Sequence, residues 1–268
     1  MNKYFAPCVI LLGAAMAGCN PSAGNHKGAS FDIVEDGAVY ALANSAREFG
    51  ADEDITFSDS VSLIMPSSLF GADVKPLCDS IMKLAFDTIG SSADASIDSY
   101  LESTVARLGY PYTKIEDAAD AVPDGFNKVS GKVVNLSPEL LVYCVTTSDY
   151  QPRSAHGMTT NFYINYSISL QRVLTFADIF DSSKIPALVA AIQTHADAIE
   201  TIIGPTTISE LPAGNNFKIT PGGEIEFVYQ PYEVASYAQG TIRVPFYPYE
   251  LATFMTPFGH QYFKISDI

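Results

Sequence analysis

The residues of this 268-residue sequence best suited to chemistry are His156, Tyr232, Glu233 and Tyr237. An imidazole can serve as acid, base or metal ligand near neutral pH. A glutamate can take a proton, and a tyrosine offers an apolar ring with a polar tip. Each also has a plainer reading. No second histidine or cysteine stands at metal-ligand spacing from His156, so its ring nitrogens are expected to fix a loop by hydrogen bonds to backbone. Glu233 lacks a paired carboxylate and is expected to accept backbone hydrogen bonds. Tyr229, Tyr232 and Tyr237 fit a core or, on an exposed loop, a contact surface for protein or sugar. The sequence has no Gly-x-Ser-x-Gly elbow, no phosphate-binding Gly-x-x-x-x-Gly-Lys and no His-Glu-x-x-His. It therefore points to a binding protein with no enzymatic activity, no metal and no cofactor.

The cysteines carry a different message. Met1–Phe5 holds one positive charge, and an apolar run through Val9–Met16 leads to Met16-Ala17-Gly18-Cys19. That is a signal-peptide layout, and the run is shorter than the ~20 residues of a transmembrane helix. Small residues before Cys19 resemble the lipobox of bacterial lipoproteins, which implies cleavage after residue 18 and a diacylglyceryl group on the Cys19 thiol. Residues 19–30, rich in Gly, Ser and Pro, read as a flexible tether. With Cys8 removed and Cys19 lipidated, Cys78 and Cys144 remain, and either one disulfide or two separately buried thiols fits an exported chain. Localisation to the cell envelope follows, with the outer membrane facing the periplasm favoured because no acidic run follows Cys19.

Composition sets further bounds. Hydrophobic residues make up 47%, enough for a real core. The formal charge is −15, and loss of Lys3 with the signal leaves 14 basic against 30 acidic residues. Such a surface excludes nucleic acid as an expected partner and favours cationic ones.

These residues must be positioned by surrounding elements, which periodicity outlines. Residues 31–54 look irregular and acidic. Ile55–Phe57 and Val61–Met65 read as a strand stopped by Pro66. Pro76 opens a helix with Leu77, Ile81, Leu84, Ala85 and Ile89 on one face, and Gly90 ends it. A second helix carries Ile97, Leu101, Val105 and Leu108 up to Gly109. Pro111, Pro123 and Gly125 mark a loop. Strands follow at Lys132–Leu136 and Leu140–Val145. In the next, Phe162, Ile164, Tyr166 and Ile168 alternate with Asn161, Tyr163, Asn165 and Ser167, predicting one buried and one wet face. A helix is expected from about Pro186 to Ile203. Phe217–Thr220 and Ile225–Tyr229 form a hairpin across Pro221-Gly222-Gly223. Ile242–Val244 is a further strand, and Tyr249–Phe254 a short final helix. The fold class is α+β, with mixed or antiparallel sheets packed against a few helices in two small sub-domains, 31–157 and 158–268.

One segment is more specific. Phe217–Thr220, Gly223–Tyr229 and Pro231–Gly240, with Val244, Tyr249 and Leu251, resemble a bacterial cell-envelope domain family without assigned activity. That family occurs at the end of a peptidoglycan deacetylase and in the extracellular part of a lysozyme-sensing anti-sigma factor. Ala155-His156-Gly157 and Leu174–Phe180 look like two further motifs of it, and the likeness runs from about residue 130 to 251. Arg153-Ser154 stand where the family has Gly-Gly, and Gln171 or Arg172 replaces a turn glycine before an expected Leu174-Thr175 strand. The resemblance implies a lipid-anchored binding or sensory module, for a cationic hydrolase such as lysozyme. A peptidoglycan- or glycan-binding module is the alternative, and a hydrolase the last choice. Pro231–Gly240 is the expected recognition segment.

Overall fold

Residues 28–265 are described by the computed structural model, apart from 89–92, 117, 119–121 and 203. The signal segment, Cys19, Ile89 and Gly90 lie outside the described residues. The chain begins with β1 (Ala29–Leu42) and a single helical turn, α1 (Ala46–Phe49), then β2 (Ile55–Leu69). β1 replaces the irregular stretch read from sequence, and the tether gives way to strand at Ala29. Along β1 only Ala29, Tyr40 and Leu42 are buried, so no apolar alternation marks it. Pro66 does not stop β2. It sits at a register shift opposite Ser30 and Phe31, where a bulge tolerates the missing amide donor.

Helices α2 (Lys75–Phe86) and α3 (Ala93–Arg107) follow. Pro76 occupies the first turn of α2, where no intrahelical amide is needed, and Asp87 closes it in a left-handed conformation at φ 56°. Leu77 and Ile81 are buried as expected, whereas Leu84 is exposed and Met82 takes the core position. In α3, Ile97, Leu101 and Val105 face inward. A short β3 (Tyr112–Ile115) lies in the expected loop, followed by β4 (Gly125–Leu136), β5 (Leu140–Tyr150), β6 (Met158–Ser167) and β7 (Arg172–Val173). Leu174-Thr175 is not a strand: Thr175 and Asp178 form a capping box that starts α4 (Phe176–Ile179). Then come α5 (Ile185–Asp197), β8 (Phe217–Ile219), β9 (Ile225–Tyr229), β10 (Ile242–Phe246) and α6 (Pro257–Tyr262).

The strands make a seven-stranded mixed sheet in the order β3-β1-β2-β4-β5-β6-β7 and a three-stranded antiparallel sheet, β10-β9-β8. β2 and β4 run parallel; α2 and α3 provide the crossover. Residue 157, where the sequence divides into sub-domains, lies in the loop between β5 and β6, and these strands are hydrogen-bonded neighbours in one sheet. Strand alternation splits β5 between two cores. Leu141, Tyr143 and Val145 point toward α2 and α3, while Leu140 and Val142 point toward α5 and the small sheet.

The wet face expected on β6 is dry at its end: Asn165 and Ser167 are buried. Asn165 is occupied as a clamp between the sheets. Its Nδ2 donates to the Phe217 carbonyl at 2.8 Å and its Oδ1 accepts from Ile219 N at 2.8 Å, as a strand backbone would.

Candidate functional site

Two loops meet at the end of this framework. The first, joining β5 to β6, turns at Arg153 with φ 60° and is pinned where Tyr150 donates to the Ser154 carbonyl at 3.0 Å. It closes through Gly157, where a Cβ would lie 2.6 Å from the Asp149 carbonyl oxygen. The second loop leaves β9 at Gln230. Gln230 bonds both backbone groups of Asn161 on β6, accepting from its N–H at 2.8 Å and donating to its carbonyl at 2.7 Å. Tyr232 then adopts φ 70°, a left-handed value that turns its side chain outward.

Glu233 holds this loop from beneath. Its two carboxylate oxygens accept from Gln230 N at 2.6 Å and Ala213 N at 2.5 Å, so both are committed to backbone. Ala213 also belongs to the rim of an open groove of about 560 Å³ between the start of α5 and residues 209–215. None of the residues singled out from sequence lines it.

The loops bring His156, Tyr232 and Tyr237 together. The imidazole lies over the Tyr237 ring with centroids 3.7 Å apart and planes 18° apart, and Tyr232 completes the cluster 5.5 Å from Tyr237 and 6.0 Å from His156. Hydrogen bonds lock it. His156 Nδ1 lies 3.1 Å from the Gly157 carbonyl, which can only accept, so Nδ1 carries the hydrogen of the neutral ring. Nε2 is then the acceptor for the Tyr232 hydroxyl at 3.0 Å, while the Tyr237 hydroxyl donates to the same Gly157 carbonyl at 2.7 Å. Tyr232 is 57% exposed. Among the described residues no three His, Cys, Asp or Glu side chains gather as a metal site.

The two cysteines are not a pair. Cys144 is a free, buried thiol on the face of β5 that carries Val142, and burial pushes its pKa up. Cys78 is a free, half-buried thiol on α2, across the sheet, directed at the Pro66 carbonyl 3.6 Å away. Alternation along β5 places a sheet between them and rules out the disulfide in this fold.

A buried carboxylate escaped the sequence reading. Asp59 on β2 is fully buried against α3, with Oδ1 accepting from Asn127 Nδ2 at 2.8 Å. The same Asn127 amide donates to the Tyr100 hydroxyl at 3.0 Å. Burial raises the Asp59 pKa to about 6 against the opposing pull of hydrogen bonds from Asn127, the Ser60 backbone and Thr104 and of the Arg107 charge. Asp178 shows the opposite case: the Arg172 guanidinium at 2.8 Å, helped by Thr175, holds it down at about 2.

Comparison with known proteins gives a family match in the second half of the chain and a likeness of fold over most of it. Residues 177–266 match the family described as "Protein of unknown function (DUF3298)". The matched span contains Tyr232, Glu233 and Tyr237 but not His156. The crystal structure of a DUF3298 family member from Bacteroides fragilis is similar, with a TM-score of 0.66 and 17% identity over 87% of this chain and 96% of that one. A DUF3298 family protein from Pseudomonas aeruginosa has a TM-score of 0.48 and 15% identity, covering 85% of this chain and 95% of that one. The first likeness shows a shared fold. No curated protein matches the chain. Among the described residues, no helix is long and apolar enough to cross a membrane.

Proposed function

We propose that this protein is a non-catalytic binding module, held at the bacterial envelope by lipid on Cys19, whose recognition surface is the His156–Tyr232–Tyr237 cluster. The observation that carries this reading is the locked geometry of the cluster: three aromatic groups, His156 and Tyr232 exposed and Tyr237 half-buried beneath them, fixed by hydrogen bonds to one another and to Gly157, lose little entropy on binding. Tyrosines presented this way are good anchors for a protein surface. The formal charge of −15 favours a cationic partner such as lysozyme, in keeping with the likeness of Pro231–Gly240 to the envelope domains of the deacetylase and the anti-sigma factor. The acidic body would speed encounter and make the on-rate fall with salt.

A second reading has its own support. Ring centroids spaced between 3.7 and 6.0 Å, flanked by two phenol hydroxyls, offer a patch that could receive a sugar ring. Retention on immobilised lysozyme, eluted by a salt gradient, supports the first reading. Retention on purified sacculi but not on lysozyme supports the second. Retention on neither removes both.

A further inference from the structure

The small sheet covers only part of the large one. It packs over Leu140 and Val142, and beyond Cys144 the same face of β5 lies open. Strand registers arrange that open face in transverse rows. One row runs Ser62–Ser130–Thr146–Asn161 across β2, β4, β5 and β6. The next contains Ser60, Lys128, Ser148 and Thr159. Cross-strand hydrogen bonds hold the hydroxyls in place, with Thr146 donating to Asn161 Oδ1 at 2.9 Å and Ser148 paired with Thr159 at 3.0 Å. Rings bracket the rows. Phe126 and Tyr150 stack at 6.1 Å beyond one end, and Tyr163 lies at the other, beside Cys144 and Lys132.

The charge of this face is opposite to that of the molecule. Lys128 and Lys132 stand exposed on it, and Lys218 and Arg243 lean over its covered edge. Lys218 lies 5.3 Å over the Tyr163 ring. Against these four cations stand Glu35 at the far strand, Asp124 beyond Phe126, where its carboxylate accepts from Thr56 Oγ1 at 2.9 Å, and Glu226, which ion-pairs with Lys218 at 2.9 Å and Arg243 at 3.4 Å, so that the face keeps an excess of one cation. A local positive excess on a chain of net charge −15 marks the face for an anion.

We infer that this open face binds a carboxylated polysaccharide chain. The hydroxyl rows exchange hydrogen bonds with sugar hydroxyls, the terminal rings pack on sugar faces, and Lys128 and Lys132 pair with carboxylates. A protein partner finds no apolar centre between the rings to bury. A second copy would bring together two bodies of like charge, and a nucleic acid, with a charge on every nucleotide, would need more cations than Lys128 and Lys132, the two outside the Glu226 ion pairs.

The test is calorimetric titration of the full chain, in non-ionic detergent, with hyaluronate oligosaccharides, dextran and single-stranded DNA. Hyaluronate should bind, and bind more weakly as salt rises, while dextran and DNA should not compete. The double variant Lys128→Gln/Lys132→Gln should weaken hyaluronate binding at least ~3-fold, as expected for two lost exposed ion pairs, with an unchanged melting temperature. Tyr232→Ala decides between the two surfaces: weakened hyaluronate binding by this variant would place the polysaccharide on the aromatic cluster and overturn the inference. Absence of hyaluronate binding, equal binding by the double variant, or equal competition by dextran or DNA would each overturn the inference.

Discussion

The Tyr232 hydroxyl donates to Nε2 of His156 across 3.0 Å and 76 residues of sequence. This one bond ties the loop after β9 to the loop between β5 and β6, and its direction follows from the Gly157 carbonyl, which places the imidazole hydrogen on Nδ1. The site is thus a product of tertiary structure: neither loop presents the cluster alone.

Asp59 gives the fold a pH dependence with a definite sign. Its folded pKa, raised to about 6, lies above that of the unfolded chain. Its stabilising contribution is therefore complete below the ordinary carboxylate range and is lost as pH rises through 6. Asp59→Asn keeps an acceptor for Asn127 and removes the buried charge. It should raise stability by roughly 1–3 kcal/mol at pH 8 and leave it unchanged at pH 4. Urea unfolding at the two pH values checks this, and a variant less stable at both would contradict it.

Gly131 is required by its neighbour across the strand. A methyl group there would overlap the Tyr143 hydroxyl and approach Leu63 Cδ2 to 2.8 Å. Gly131→Ala should cost about 1–3 kcal/mol by overpacking. Adding Tyr143→Phe should restore part of that loss, because the overlapping oxygen is gone. A double-mutant cycle with no coupling would show that the contact does not govern the cost.

Cys78 and Cys144 should both be recovered as free thiols. Alkylation after denaturation without reductant, followed by peptide mapping, should label each of them. In the native protein Cys144 should react much more slowly than Cys78, since only Cys144 is fully buried. A linked peptide pair would contradict the fold around β5.

The proposed anchor is tested separately. Cys19→Ala should move the protein from the membrane to the soluble fraction and abolish incorporation of a palmitate analogue, because several buried acyl chains provide the attachment. Equal labelling of the variant would remove the anchor from the account.

Sequence revealed the elements whose burial follows a simple period. β6, α3, α5 and the hairpin at Pro221-Gly222-Gly223 were legible because each shows its own face to a core or its own turn chemistry. β1 was not, because most of its length is half-exposed and its acidic residues hide any alternation. Asn165 was read as wet since an amide on a strand normally is; its burial depends on the edge of β8, which no local pattern announces. Asp59 did leave a signal: it falls in phase with Ile55, Phe57, Val61 and Leu63, a carboxylate on the buried side of a strand. Glu233 was anticipated as a backbone acceptor, and the structure supplies its partners. The meeting of His156 with Tyr237, whose hydroxyl reaches Gly157 across 80 residues, could be seen only once the chain was folded.

The central claim is that the exposed rings bind a partner and do not support the core. The measurement is lysozyme affinity and melting temperature for Tyr232→Ala, taken on the same preparations. Since Tyr232 is 57% exposed, its removal should shift the melting temperature by no more than about 2 °C while weakening binding at least ~10-fold. A drop of several degrees with unchanged affinity per folded molecule would assign the cluster to structure and contradict the claim.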